Sequence, residues 1–462
     1  MSVRATSNGS GRGDNRQGRA HAVSPARVAA FEILLRVETE GAFASVLLAS
    51  INEEELSAQD RALCHELVLG SLRWQLWLDH LISYYARRGA DKLDAPVRVV
   101  LRLGLYQLRF LSRIPASAAV NESVKLVRRA RLRSADSFVN AVLRRATREP
   151  RYDPTALIRD RLERISVETS HPLWLIERWS NSFGVEEAAA FARSNNEATP
   201  TAFRLTGEEV RGASVLEELR AAGGELEASR IALDAWRLKG AGQRLRELAR
   251  AGMVYLQDEA SQLVAQVLDA RAGERVLDAC AAPGSKTTHI AARAQNRALV
   301  VAGDLHEHRL RTLLETSERQ KSAAICALVY DAEFALPFAK GSFDRALVDA
   351  PCTGTGTLRR NPEIRWRISA SDIALLAARQ QRILCNASEL VRRGGRLVYS
   401  TCSVEPEENE QVVEAFLRER QDFEQVTAQA PAALLSEKGA GRTWPQRDGA
   451  DGFFIAAFER RS

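Results

Sequence analysis

A multidomain chain is predicted: an all-α bundle first, then a small α+β connector, and at the carboxyl end an α/β domain of the Rossmann-like kind. Three observations carry that expectation. Apolar residues recur at spacings of three and four up to about Arg148, strands alternate with helices after Arg250, and between them short strand-like and helical stretches mix. The boundaries follow as a tail over 1–23, the bundle over 24–150, the connector over 151–250 and the α/β domain over 251–462. With 462 residues and 45% hydrophobic content, the chain is long enough for roughly three domains, each with its own core.

Residues 1–23 hold Gly, Ser, Asn and Arg with almost no large apolar residue, so they cannot bury enough surface to offset the entropy of ordering. The bundle is read from Val28, Phe31, Ile33, Leu34 and Leu35, then Leu63, Leu67, Leu72, Trp74 and Leu78, then Val99, Leu103, Tyr106 and Leu108. Within it, Lys125-Leu-Val-Arg-Arg-Ala-Arg-Leu-Arg133 places five cations in nine residues. That suits several phosphate contacts if they share a face, and it suits an ordinary solvated helix equally. In the connector, Pro150 and Pro154 precede His171-Pro-Leu-Trp, a helix over Val185 to Ala192 and a strand at Thr201-Ala-Phe-Arg-Leu. A second helix over Val215 to Ala221 stops at Gly223-Gly224.

In the α/β domain, Arg275-Val-Leu-Asp-Ala-Cys-Ala-Ala-Pro-Gly-Ser-Lys-Thr-Thr reads as a strand, a tight loop and a helix start. Small side chains there let a ligand approach the backbone, and the helix amino terminus supplies free N–H donors. The next strand, Leu299-Val-Val-Ala-Gly-Asp304, ends in an acid about twenty residues after Gly284, the place where a carboxylate accepts hydrogen bonds from ribose hydroxyls. A third strand ends in Val329-Tyr-Asp331, suited to an adenine edge, and a fourth in Leu347-Val-Asp349. No Gly-Lys-Thr phosphate loop and no Gly-x-Gly-x-x-Gly is present, so an adenosine without phosphates fits best, and S-adenosylmethionine is such a ligand.

Of the six cysteines, Cys64, Cys326 and Cys385 lie inside apolar patterns and read as structural. Cys352, in Asp349-Ala-Pro-Cys-Thr-Gly, and Cys402, in Tyr399-Ser-Thr-Cys-Ser, each follow an apolar strand-like run. A thiolate can add to an electron-poor pyrimidine ring, so this pair suggests covalent catalysis on a base. Which cysteine attacks is left open by the residues themselves. The formal charge of +6 leans toward a polyanionic partner. With no Cys-x-x-Cys pair and no zinc spacing of His and Cys, reduced thiols and no metal are expected. No apolar run reaches a membrane span and no secretory core is seen. A soluble, cytoplasmic, monomeric protein is expected.

Four motifs carry a family resemblance: Asp278-Ala-Cys-Ala-Ala-Pro-Gly-Ser-Lys-Thr, Asp349-Ala-Pro-Cys-Thr-Gly-Thr-Gly, Arg359-Arg-Asn-Pro-Glu-Ile-Arg-Trp, and Tyr399-Ser-Thr-Cys-Ser-Val-Glu-Pro-Glu-Glu-Asn-Glu. They resemble the Sun (Fmu) family of RNA cytosine-5 methyltransferases. The bundle resembles the RNA-binding NusB module through Ala26-Arg-Val-Ala-Ala-Phe-Glu-Ile-Leu, Asp60-Arg-Ala-Leu-Cys-His-Glu-Leu-Val-Leu-Gly-Ser-Leu-Arg-Trp, Val99-Val-Leu-Arg-Leu-Gly-Leu-Tyr-Gln-Leu and Phe138-Val-Asn-Ala-Val-Leu-Arg-Arg. Ser285 stands where the family usually has a second glycine; serine is small and caps helix starts well.

The resemblance implies methylation of carbon 5 of a cytosine in 16S ribosomal RNA, before the small subunit is complete, with S-adenosylmethionine as donor. It makes Cys402 the nucleophile at carbon 6, Cys352 the residue that assists release, and Asp349 the holder of the cytosine's polar edge. It seats the cofactor on Cys280, Ala281, Ala282, Pro283, Gly284, Ser285 and Lys286, with Asp304 at the ribose, Asp331 near the adenine and Asp349 at the methionine end. The target base must be unstacked to expose the attacked face, and Arg359, Arg360, Arg365 and Trp366 are expected to form an RNA-facing loop. Transfer RNA as substrate, and a non-catalytic RNA-binding or antitermination scaffold, are the alternatives.

Overall fold

The computed structural model describes residues 23–51, 55–206, 209–322 and 324–461. Apart from Val23, the tail expected over 1–23 lies outside the described residues. The chain divides into two compact units, one ending at Ser170 and one beginning at His171.

The first unit is a bundle of helices, among them Pro25–Thr39, Ala58–Arg73, Gln75–Ala86, Ala95–Phe110, Ala116–Arg129 and Asp136–Arg148. Local chemistry starts them: Ser57 Oγ accepts from the Asp60 amide at 3.1 Å and Asp160 from the Glu163 amide at 2.8 Å. Helix Ala95–Phe110 runs through the core, buried from Val99 to Gln107. Its Arg102 sits inside only because two carboxylates meet it, Asp79 with two bonds of 2.7 Å and Glu38 at 2.8 Å. The basic stretch is partly neutralised, with Lys125 on Glu122, Arg128 on Asp136 and Arg129 on Glu32. The helical unit runs past residue 150, because helix Arg161–Thr169 folds into it and Ser170 Oγ accepts from the Leu76 amide at 3.0 Å.

The second unit opens with helices Leu173–Phe183 and Val185–Ser194. A four-stranded sheet follows, made of β1 (Thr201–Leu205), β2 (Glu225–Ala228), β3 (Ala235–Lys239) and β4 (Val254–Leu256) in the order β2-β3-β1-β4. All three pairings are antiparallel. With helices Glu209–Ala221 and Gly242–Arg250 between strands, this is the βαββαβ ferredoxin-like arrangement. Phe203, Leu219, Leu238, Leu248 and Val254 close its core.

The remaining strands are β5 (Arg275–Asp278), β6 (Leu299–Asp304), β7 (Ile325–Val329), β8 (Phe343–Asp349), β9 (Val391–Thr401), β10 (Phe423–Val426), β11 (Gly441–Thr443) and β12 (Phe453–Arg460). They form an eight-stranded sheet in the order β10-β12-β9-β8-β5-β6-β7, with β11 on β12. Strands β5 to β9 pair in parallel, and β12 returns antiparallel beside β9. Central strands such as β8 are buried on both faces, as a covered parallel sheet requires. Cys326 departs from its expected interior position: β7 is the edge strand and Cys326 is exposed on it. Among the described residues, no helix is long and apolar enough to cross a membrane.

Candidate active site

From β5 the chain moves outward through β6 and β7, then returns to the other side of β5 as β8 and β9. That reversal leaves a crevice at the carboxyl ends of the strands, where open α/β sheets bind ligands. A cavity of about 270 Å³ lies there. Its wall takes Cys280 and Ala282 from the β5 loop, Asp304 from β6, Asp331 from the β7 loop, Asp349 and Cys352 from β8 and its loop, and Cys402 beyond β9.

Parallel pairing sets Asp349 opposite Ser400, so the loops leaving β8 and β9 start side by side. Cys352 and Cys402, each half-buried, bring their sulfurs to 3.4 Å. The Gly356 amide donates to the Cys402 carbonyl at 2.9 Å, and a Cβ on Gly356 would stand 2.0 Å from the Gly452 carbonyl oxygen, so glycine is required at this crossing. The Cys352 thiol is pushed well above its ordinary range by its hydrogen bond to Cys402, by burial and by the Glu408 carboxylate. Lys286 Nζ lies 2.7 Å from Asp349, whose other oxygen accepts from Ser400 Oγ at 2.7 Å. Burial opposes the charge of Lys286, but Asp349 and the neighbouring Cys402 outweigh it and raise its pKa.

On the other side of the cavity, Gly284 turns the loop at φ +102°, and a Cβ there would meet Leu313 at 2.7 Å. Helix Ser285–Arg293 starts directly after it. Asp304 accepts from the Ala282 amide at 3.3 Å and the His306 amide at 3.0 Å. These bonds aim the carboxylate while leaving lone pairs for a diol. Burial and the negative charges of Asp278, Asp349 and Asp304 push the Cys280 thiol upward. The carboxylates Asp304, Asp331 and Asp349 in this wall offer acceptors to a neutral or cationic adenosine derivative. The residues present therefore fit that class of ligand. Asp278 itself, fully buried with Thr287 Oγ1 at 2.7 Å, is pushed up to about 7 by burial.

Two sequence readings need correction. Arg359 and Arg365, expected to face RNA, are 3% and 0% exposed. Arg359 donates to the Gly449 carbonyl at 3.0 Å, and Arg365 reaches Asn196 Oδ1 at 3.1 Å. Arg360 is half-buried between Asp258 at 2.8 Å and Asp451 at 2.9 Å, and Trp366 is half-buried. The segment braces the domain, because buried guanidinium groups need fixed acceptors. Ser285 is not a cap either: Gly284 occupies the cap position and Ser285 is the first helical residue. Of the predicted loop only Cys280 and Ala282 line the cavity; Pro283 is exposed, and Ala281, Gly284 and Lys286 support the wall. Sequence reasoning missed Arg309, which donates to the Ala282 carbonyl at 2.7 Å beside Asp304, along with Tyr330 and Arg379 in the wall. It also gave no role to Glu408, although that residue lies in a quoted motif.

Residues 265–459 match the family model described as 16S rRNA methyltransferase RsmB/F, residues 24–148 match the NusB family, and residues 171–244 match the RsmF/B-like ferredoxin-like domain. A Bacillus subtilis protein, "Probable ribosomal RNA small subunit methyltransferase B", is 37% identical over 441 residues, 94% of this chain and 98% of its own. The chain belongs to the RsmB/F methyltransferase family. Ribosomal RNA small subunit methyltransferase B of Pseudomonas syringae pv. tomato is 35% identical over 435 residues, covering 91% of this chain and 96% of its own. The crystal structure of PH0851, 26% identical, matches with a TM-score of 0.82 over 95% of this chain and 99% of that one. This RsmB/F member is a methyltransferase that needs a methyl donor, with a NusB-type helical domain at one end and a Rossmann-like domain at the other.

Proposed function

We propose that this enzyme methylates carbon 5 of a cytosine in 16S ribosomal RNA, before the subunit is complete, through a transient bond between Cys402 Sγ and carbon 6. The observation that carries the reading is the sulfur pair at 3.4 Å, mounted on neighbouring strand ends beside the cavity. Relatives named ribosomal RNA small subunit methyltransferase B support the substrate class. The cavity wall suits S-adenosylmethionine, with Asp304 at the ribose and Asp331 toward the adenine. When bound, that cofactor supplies the methyl group that carbon 5 receives.

Carbon 5 of cytosine is a poor nucleophile until a thiolate adds at carbon 6. Cys402 donates its electron pair there, and the ring becomes enamine-like. Asymmetry around the sulfurs supports this choice: cationic Lys286 stands near Cys402, while the Cys352 thiol is raised by its bond to Cys402, by burial and by the Glu408 carboxylate. Asp349, steadied by Lys286 and Ser400, meets the polar edge of the cytosine. Release requires a base at carbon 5. Cys352 gives its proton to solvent and, as thiolate, takes the carbon-5 proton. The pair of electrons from that C–H bond forms the 5,6 double bond, the carbon 6–sulfur bond breaks, and its electrons return to Cys402. The cycle ends with Cys352 protonated and Cys402 ionised, as it began, with one proton released.

Labelled S-adenosylmethionine with a 16S transcript, and separately with transfer RNA, tests this in wild-type, Cys402→Ala and Cys352→Ala enzyme. Methylation is absent in Cys402→Ala. Cys352→Ala accumulates a denaturant-stable protein–RNA adduct. An adduct formed by Cys402→Ala reverses the assignment, and methylation of transfer RNA alone removes 16S RNA as the substrate.

A further inference from the structure

Glu408 is fully buried, at the end of the loop that leaves β9. Its carboxylate reaches both cysteine loops at once. Oε1 accepts from the Thr353 amide at 2.9 Å and from Gln380 Nε2 at 2.9 Å, while Oε2 accepts from the hydroxyls of Thr353 and Ser403. Thr353 follows Cys352 directly and Ser403 follows Cys402 directly. Gln380 also donates to the Pro351 carbonyl at 2.9 Å, on the other side of Cys352. A single carboxylate thus ties down the chain on both sides of one sulfur and after the other.

The donors to Glu408 are all neutral, which sets it apart from the other charges around Cys352. Asp349 on β8 is paired with Lys286 of helix Ser285–Arg293, and Arg379 of helix Ala370–Glu389 is paired with Glu333. Tyr399 on β9 and Cys402 just beyond it bring no fixed positive charge. We propose that Glu408 is a positioning residue: ionised, it clamps the two loops so that the sulfurs meet, and its negative charge retains the proton on Cys352 until the methylated adduct is resolved. This rests on the covalent reaction above. Burial raises the pKa of Glu408, and the hydroxyl and amide donors work against that rise; the Cys352 thiol is raised by its bond to Cys402, by burial and by Glu408.

Glu408→Gln removes the charge but keeps the joint. Its carbonyl can still accept from the Thr353 amide and Gln380, and its NH2 can donate to the two hydroxyl oxygens. Thr353→Val does the reverse, deleting a hydroxyl link while leaving the charge. The readout is the decay of quenched methylated protein–16S RNA adduct across a pH series. Resolution needs Cys352 as thiolate, so its rate rises with pH through that group's pKa. Loss of a nearby negative charge lowers that pKa, so in Glu408→Gln the rising limb moves to lower pH by about one unit. Thr353→Val slows adduct formation roughly tenfold with the limb in place.

A Glu408→Gln enzyme with an unmoved limb overturns the proposal, whether its rates equal wild type or fall uniformly. Should that variant fail to fold, Thr353→Val decides: wild-type adduct formation, or a shifted limb, overturns it. If wild type and Cys352→Ala trap no adduct, the covalent reading fails first, before any variant at 408 or 353 is compared.

Discussion

The turns after β8 and β9 place two chemically identical side chains 3.4 Å apart, yet different groups stand behind each. Behind Cys402 are Lys286, fixed on Asp349 at 2.7 Å, and a backbone crossing at Gly356. Behind Cys352 is Glu408, a carboxylate with neutral donors. Two thiols in contact cannot both ionise easily, so the nearest fixed charge decides which one keeps the proton. The difference teaches that in such a pair the role of each sulfur is set by its neighbours across the sheet.

The largest effect on this contrast comes from Lys286→Met, which keeps most of the apolar stem while removing the cation and its contact over the Phe453 ring. Asp349 then loses its partner on one side, and adduct formation drops by about 100-fold. Single-turnover quench experiments measure it. A variant within about twofold of wild type would show that Lys286 does not distinguish the sulfurs.

Asp304→Asn acts at the far end of the cavity, away from the sulfurs. Replacing a charged acceptor by a neutral one weakens S-adenosylhomocysteine binding about tenfold, read by calorimetry. Adduct formation by Cys352→Ala on RNA at saturating cofactor stays unchanged in the doubly substituted enzyme. If adduct formation fell as well, the two ends of the cavity would not be separable.

Legibility followed the range of each interaction. Strands such as Thr201–Leu205 and Leu299–Asp304 were readable because their patterns are local, and the second ends in Gly303-Asp304. The polar residues at successive strand ends reach one cavity because parallel register alone gathers them. Arg359 and Arg365 misled because their burial depends on acceptors distant in sequence, at Gly449, Asn196 and Asp451. Arg309 was invisible for a related reason: it sits on an amphipathic helix whose exposed face is full of charges, and only the fold shows that it reaches the Ala282 carbonyl. The NusB-type match ends at residue 148, and the helix Arg161–Thr169 that packs with that unit beyond it follows a proline-containing stretch whose local pattern does not show where it folds.

Tyr399→Phe is the smallest change and the strictest test of whether Glu408 acts by charge or only by bracing. Tyr399 is fully buried on β9, and its hydroxyl lies 3.0 Å from Gln380 Oε1 and 2.5 Å from the Glu408 carbonyl oxygen. Phenylalanine fills the same space, so no cavity opens, but the Glu408 carbonyl and the Gln380 amide oxygen lose a donor. The cost is about 1–2 kcal/mol of stability, visible as a lowered urea midpoint at unchanged slope. The Glu408 carboxylate keeps its own four donors, so its charge still faces Cys352. Adduct resolution therefore keeps its wild-type pH limb and slows by less than about threefold. If the limb moved as far in Tyr399→Phe as in Glu408→Gln, packing around the loop rather than the carboxylate's charge would govern the proton on Cys352.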